Sequence, residues 1–158
     1  MATATAGQKA RASQINSLPY TVTLGGQVMQ NNSANVTTTE TVVMTTPTFT
    51  LVANTWYAVD FDLLYTSTIG GDVLIARIRE TNLAGTSRQA FIPFAVVQNN
   101  GGPYSVRGTY NFQTGANPSP LNWVGTIIRS SGSGNCQALI GSRLMVNQLP
   151  ASAVVTTV

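Results

Sequence analysis

Hydrophobic and polar side chains alternate along much of this chain with the two-residue period of a β-strand. Between residues 57 and 65 every second residue is a large apolar one, and the intervening positions include Asp60 and Asp62. The segment 104–112 alternates in the same way. Both segments therefore predict strands with one face buried and one face polar.

Other segments are rich in β-branched or aromatic residues, which also favour strands. They cover residues 20–24, 37–45, 48–52, 72–80, 89–97, 122–129, 137–140 and 143–149. Clusters of Gly, Asn, Ser and Pro separate them and predict turns at 25–26, 53–54, 70–71, 82–85, 99–103, 115–120, 130–135 and 141. This spacing predicts an all-β fold, an antiparallel jelly-roll-like sandwich of about eight strands.

The two ends of the chain differ from this pattern. Residues 1–19 are rich in Ala, Thr, Ser and Gln, and only 7–18 could form a short helical turn, so we expect an extended N-terminal arm joined to a sandwich domain over 20–158. The uncharged segment 151–158 either adds a strand to a neighbour or frays. The first residues lack the apolar stretch of a secretory signal, so we expect synthesis in a cytoplasm.

Composition narrows the choice of partners. Charged residues form only 8% of the sequence while hydrophobic residues form 43%, so neutral polar residues replace the usual charges. Such a surface suits packing against other subunits, because burying charge costs desolvation energy. The basic residues are scattered from Lys9 to Arg143, which argues against nucleic-acid binding. No run of about 18 apolar residues predicts a membrane span.

Few residues could carry catalytic chemistry. The chain has no histidine, and its single cysteine, Cys136, has no partner for a zinc site or a catalytic pair, so we predict a buried or half-buried thiol. Asp60 and Asp62 share a strand face and could form a glycosidase pair or, with Asp72, bind calcium. A polar outer face of the strand is the simpler interpretation. We therefore predict no enzymatic activity, no metal and no cofactor.

Three other features have both a functional and a structural interpretation. Arg77 and Arg79 share a strand face, and we expect inter-strand or inter-subunit ion pairs with Asp60, Asp62 or Glu80. Trp56 and Trp123 could stack on sugars, but both lie in strand patterns typical of a core. The sequence Gly132-Ser133-Gly134 precedes no helix and predicts a turn, not a phosphate-binding loop.

The segment Ala6-Gly-Gln-Lys-Ala-Arg-Ala-Ser-Gln-Ile-Asn16 resembles the opening of many small virion-associated proteins of tailed phages that infect actinobacteria. The body is similar to theirs as well, in the segments 50–65, 74–79, 104–110 and 144–149. The resemblance covers nearly the whole chain. It implies a compact trimeric jelly roll, similar in outline to tumour-necrosis-factor-like domains.

Two roles follow from that resemblance. One is a capsid decoration (cement) protein that binds the major capsid protein on the shell exterior as a homotrimer. The other is a minor tail or fibre-tip protein that binds a host receptor or carbohydrate. The chain shows no stalk repeat or coiled coil, which favours decoration. In that role Lys9 and Arg11 of the arm would meet acidic groups of the capsid protein, and Ile15 and Leu18 would fill apolar grooves.

Overall fold

The longest alternating segment of the sequence forms the centre of the fold. In a computed structural model, which describes residues 21–96 and 101–150, this segment is the strand β3. Its inward side chains, from Tyr57 through Phe61 to Tyr65, are at most 2% exposed. β3 is hydrogen-bonded on one side to β6 and on the other to β9 and β8. The burial of one face follows directly from the two-residue period.

The described residues contain nine strands and no helix. In chain order they are β1 (Val22–Val28), β2 (Thr41–Thr45), β3 (Trp56–Ser67), β4 (Val73–Glu80), β5 (Ser87–Val96), β6 (Gly101–Gln113), β7 (Trp123–Ser131), β8 (Cys136–Ala138) and β9 (Arg143–Gln148). The predicted all-β fold is confirmed. No helix in the described part of the chain is long and apolar enough to cross a membrane.

Two antiparallel sheets form the sandwich. Sheet 1 has the order β1-β9-β3-β6, with β8 paired to one end of β3, and sheet 2 has the order β2-β7-β4-β5. Apart from the short β8, the strands pair from the ends of the chain inward: β1 with β9, β2 with β7, β3 with β6, and β4 with β5. This is the pairing of a long hairpin rolled up on itself, so the predicted jelly-roll-like sandwich is confirmed.

Aromatic side chains fill the space between the sheets. Trp123 of β7 is fully buried and packs against Phe112 of β6, with ring centroids 5.3 Å apart. The ring of Phe61 lies so close to Gly125 that a Cβ there would come within 2.9 Å of it. The core therefore requires a glycine at this position of β7, since protein interiors have little free space.

Several predicted boundaries are wrong. Gly25 and Gly26, predicted as a turn, lie inside β1, where a register shift after Thr23 lets the strand continue along β9. The predicted strand 48–52 is reduced to a single bridge between Phe49 and Leu121. The predicted turn at 99–103 overlaps the start of β6 at Gly101. The arm 1–19 and the segment 151–158 lie outside the described residues, so the division into arm and sandwich stays a prediction.

Candidate functional site

The outer face of sheet 1 carries the first cluster of charged side chains. Asp60 and Asp62 project from β3 between Arg107 of β6 and Arg143 of β9. Asp62 binds both arginines, with Nε to Oδ distances of 3.0 Å to Arg107 and 2.6 Å to Arg143. We call these four residues the Asp62 cluster. It borders two shallow, adjoining depressions of about 380 and 230 Å³.

Both aspartates of the Asp62 cluster already accept hydrogen bonds from other side chains of the protein. Asp60 accepts hydrogen bonds from the Thr109 hydroxyl at 2.6 Å and from the Asn147 side-chain amide at 2.8 Å. The pairing follows from the register, because Thr109 of β6 and Asp60 of β3 are direct neighbours across the sheet. The carboxylates are thus part of a cross-strand network on a polar outer face.

The second cluster lies on the outer face of sheet 2. Arg77 and Arg79 of β4 both bind Glu40, which directly precedes β2, at 2.8 Å each. Thr126 of β7 also donates its hydroxyl to Glu40. We call these four residues the Glu40 cluster. Burial alone would raise the pKa of Glu40, but hydrogen bonds from Arg79 and Thr126 and the charge of Arg77 hold it below its usual value of 4.5.

Within the chain, Arg77 and Arg79 therefore form ion pairs, but with Glu40 and not with the expected Asp60, Asp62 or Glu80, and the inter-subunit alternative stays a prediction. Asp60 and Asp62 lie on the outer face of the opposite sheet, so the core separates them from β4. Glu80 binds Arg88 of β5 instead, with an Nε to Oε1 distance of 2.8 Å. Glu40 was not considered as a partner: it falls in the predicted strand 37–45, of which only Thr41–Thr45 forms β2. The available signal was that two outward arginines on one strand need a nearby acid.

The third cluster is buried at one end of the sandwich. Asp72 is fully buried and accepts hydrogen bonds from the Ser67 hydroxyl and from the backbone N–H groups of Ser133 and Gly134. Burial opposes its ionisation, yet these hydrogen bonds and the nearby Arg129 guanidinium keep the pKa of Asp72 below its usual value. We call these residues, together with the turn 132–134, the Asp72 cluster.

The Asp72 cluster explains the glycine-rich sequence there. The turn at 132–134 presents backbone N–H groups to an anion, but that anion is a carboxylate of the same chain. The predicted turn is present. Cys136 lies beside it, with Sγ 3.5 Å from the Ser67 hydroxyl, and burial raises the pKa of this thiol. A raised pKa lowers the reactivity of a thiol.

A fourth feature is a groove of about 420 Å³ between the edge strands β1 and β2, lined by residues 27–34 and 41–43. We call it the edge groove. None of its lining residues is charged, and two of its three valines, Val28 and Val42, are 45% and 36% exposed. The Gln27 side chain spans it at one place, where it accepts a hydrogen bond from the Thr45 backbone N–H at 2.6 Å. Sequence reasoning missed this groove because it depends on where two distant strands end up.

The remaining predicted residues fall into two groups. The arm residues Lys9, Arg11, Ile15 and Leu18 lie outside the described part of the chain. Trp123 is fully buried and unavailable to a sugar, while Trp56 is half-buried at the start of β3. Among the described residues no three His, Cys, Asp or Glu side chains are grouped closely enough to hold a metal ion.

Comparison with known proteins gives distant structural likenesses. No protein-family model matches the sequence, and no curated protein matches it. The VP2 subviral particle of infectious bursal disease virus is 15% identical with a TM-score of 0.45, over 84% of this chain and 33% of that chain. A CBM4 structure is 14% identical with a TM-score of 0.38, over 60% of this chain and 66% of that one.

The Gx strain structure of infectious bursal disease virus is similar at 15% identity and a TM-score of 0.42, over 84% of this chain. The chain spans about a third of the length of that viral protein, 32%. Values this low assign the chain to no family and transfer no function to it.

Proposed function

We propose that this chain is a structural protein of a virion, which binds other protein subunits and catalyses no reaction. The observation that carries the proposal is the internal pairing of its charges. All five acidic residues of the sequence lie in the described part, and each accepts a hydrogen bond from the protein. The body therefore combines a charge-poor surface with no unpaired acid, which suits subunit packing and offers little for acid-base chemistry.

Within this class we propose a capsid decoration protein on the exterior of a tailed-phage shell, bound to the major capsid protein as a homotrimer. The distribution of charge supports a separate role for the arm. The described body has six arginines against five acids, whereas residues 1–20 carry Lys9 and Arg11 and no acid. The arm thus carries two of the three net positive charges of the chain, and an acidic capsid surface would attract it.

In this proposal the arm binds the major capsid protein and the body links adjacent capsid subunits. Lys9 and Arg11 meet acidic groups of the major capsid protein, and Ile15 and Leu18 fill apolar grooves. Three linked arms bind far more tightly than one, because after the first contact the others form at a high effective concentration. The sandwich bodies then clamp adjacent capsid subunits against the outward pressure of packaged DNA.

The test uses shells that lack this protein, to which purified protein is added and scored by cryo imaging and co-sedimentation. We compare the wild type with Lys9→Gln/Arg11→Gln and with Thr48→Glu/Thr50→Glu, which changes the net charge equally but on exposed positions of the body. We expect regular density from the wild type and the body variant, and at least about threefold weaker binding from the arm variant.

Two outcomes contradict the proposal at different levels. Equal binding by the arm variant and the wild type would remove the arm from docking. If no form decorates shells but the wild type binds host cells or purified tails, the tail-tip role replaces decoration.

A further inference from the structure

The edge groove lies at a side of the sandwich where both sheets end in a strand with one unpaired edge. β1 and β2 are the edge strands of their sheets on the same side of the molecule, and each is hydrogen-bonded to a strand on one side only. Unpaired strand edges are templates for another extended chain, and proteins usually protect them with charge. This edge carries no charge, and it exposes Val28 and Val42. An uncharged extended segment is the kind of occupant that such an edge can accept.

The chain itself contains such a segment. Residues 151–158 read Ala-Ser-Ala-Val-Val-Thr-Thr-Val, without charge and ending in five β-branched residues. Fully extended, eight residues span about 26 Å, and the seven residues of β1 span about 23 Å. By contrast, the N-terminal segment carries Lys9 and Arg11, which an uncharged groove would leave without partners.

The position at which β9 ends indicates which molecule supplies the segment. Leu149 donates its backbone N–H to the Trp56 carbonyl, and Gln148 pairs with Val22 at the start of β1. The edge groove lies at the other end of β1, around Val28. A chain's own segment would have to turn around the start of β1 and run back along that strand to the groove, whereas the segment of a neighbouring copy needs no such reversal.

We propose that residues 151–158 of one copy occupy the edge groove of the next copy and add a strand to its sheet edge. Each copy gives one segment and receives one, a head-to-tail contact that closes into a ring when the rotation allows. Three copies joined in this way form the homotrimer. The inference builds on the trimer included in the proposed function, but it is independent of where the trimer docks.

The test measures the oligomeric state of the full-length protein by sedimentation velocity and light scattering at micromolar concentration. Val42→Arg places a charge in the groove, and Val52→Arg places the same charge on a valine that is 56% exposed outside it. Val154→Asp/Val155→Asp places charges in the segment. We expect trimers from the wild type and Val52→Arg, and at least a tenfold loss of trimer from the groove and segment variants. Far-ultraviolet circular dichroism verifies that each variant is folded.

Binding of a labelled peptide of residues 150–158 tests directly whether this segment occupies the edge groove. It should bind the Val154→Asp/Val155→Asp protein, whose groove is empty, and should bind at least tenfold more weakly when Val42→Arg is added. Folded variants that stay trimeric, a wild type that is monomeric, or equal disruption by Val52→Arg would each overturn the proposal. Trimers that form as expected but fail to decorate shells would leave this inference standing and contradict the decoration role alone.

Discussion

At the scale of single residues, a tight steric constraint joins Asp72 to the turn 132–134. A Cβ on Gly132 would lie 1.9 Å from the Asp72 Oδ1 atom, and the φ angle of Gly132 is +92°. Gly71 has a similar φ of +87° with open space around it. Substituting each of these two glycines separates the free-energy cost of the backbone conformation from the cost of displacing a buried carboxylate.

We expect Gly71→Ala to lower the free energy of unfolding by about 1–2 kcal/mol, the usual cost of a left-handed conformation with a Cβ. Gly132→Ala should lower it by about 2 kcal/mol more, because Asp72 must give up hydrogen bonds to make room. Urea titration followed by tryptophan fluorescence measures both values. Equal losses in the two variants would show that the Asp72 cluster is not tightly held.

The sequence predicted the turn at 132–134 but not its ligand. Gly, Ser and Asn in succession indicate a turn by their local conformational preferences. Asp72 lies 61 positions away from Ser133, and no local pattern reports which distant acid a turn will bind. The same limit applies to the Asp62 cluster. Its outward aspartates were predictable, whereas Arg107 and Arg143 became their partners only through strand order.

At the scale of elements, the Glu40 cluster fastens the segment before β2 to the middle of sheet 2. Glu40 receives hydrogen bonds from two side chains of β4 and one of β7, and its side chain is only 16% exposed. Because its pKa is lowered on folding, the charged carboxylate stabilises the protein at pH values above 4.5. This contribution is lost as the pH falls through the lowered pKa.

We expect Glu40→Gln to lower the free energy of unfolding by about 2 kcal/mol at pH 7, since two half-buried arginines lose their anion. Glu80→Gln is the matched control, because Glu80 pairs with a more exposed arginine, Arg88, and should cost less than about 1 kcal/mol. The difference between Glu40→Gln and the wild type should shrink as the pH is lowered below 4. Equal effects of the two substitutions at pH 7 would contradict the role given to Glu40.

The elements themselves were predictable where one face alone is buried. β3 and β6 follow from strict alternation, since each has a core side and a polar side. The failures occur where tertiary contacts override local preference. Gly26 is typical of a turn in sequence, yet it lies in β1. A Cβ there would come within 2.1 Å of the Leu144 carbonyl oxygen of β9. The close approach of two strands demanded a glycine, and sequence alone does not distinguish that demand from a turn.

At the scale of the whole molecule, the proposals assign two kinds of contact to two ends of the chain. Docking on the shell depends on the charges of Lys9 and Arg11, whereas assembly of copies depends on the uncharged edge groove and residues 151–158. Charged and uncharged contacts respond differently to salt. The screening length falls from about 10 Å at 0.1 M to about 3 Å at 1 M ionic strength, while apolar contacts are not weakened by screening.

Raising sodium chloride from 0.1 to 1 M should therefore weaken binding of the wild type to shells by at least about threefold and leave the trimer intact. Co-sedimentation with shells and sedimentation velocity of the free protein measure the two equilibria in the same buffers. Lys9→Gln/Arg11→Gln provides the control, since its weaker shell binding should respond little to salt. A trimer that dissociates in salt would mean that ion pairs hold the copies together. The cross-strand arginines of the Asp62 cluster, with side chains 64% and 55% exposed, would then be the surface to mutate next.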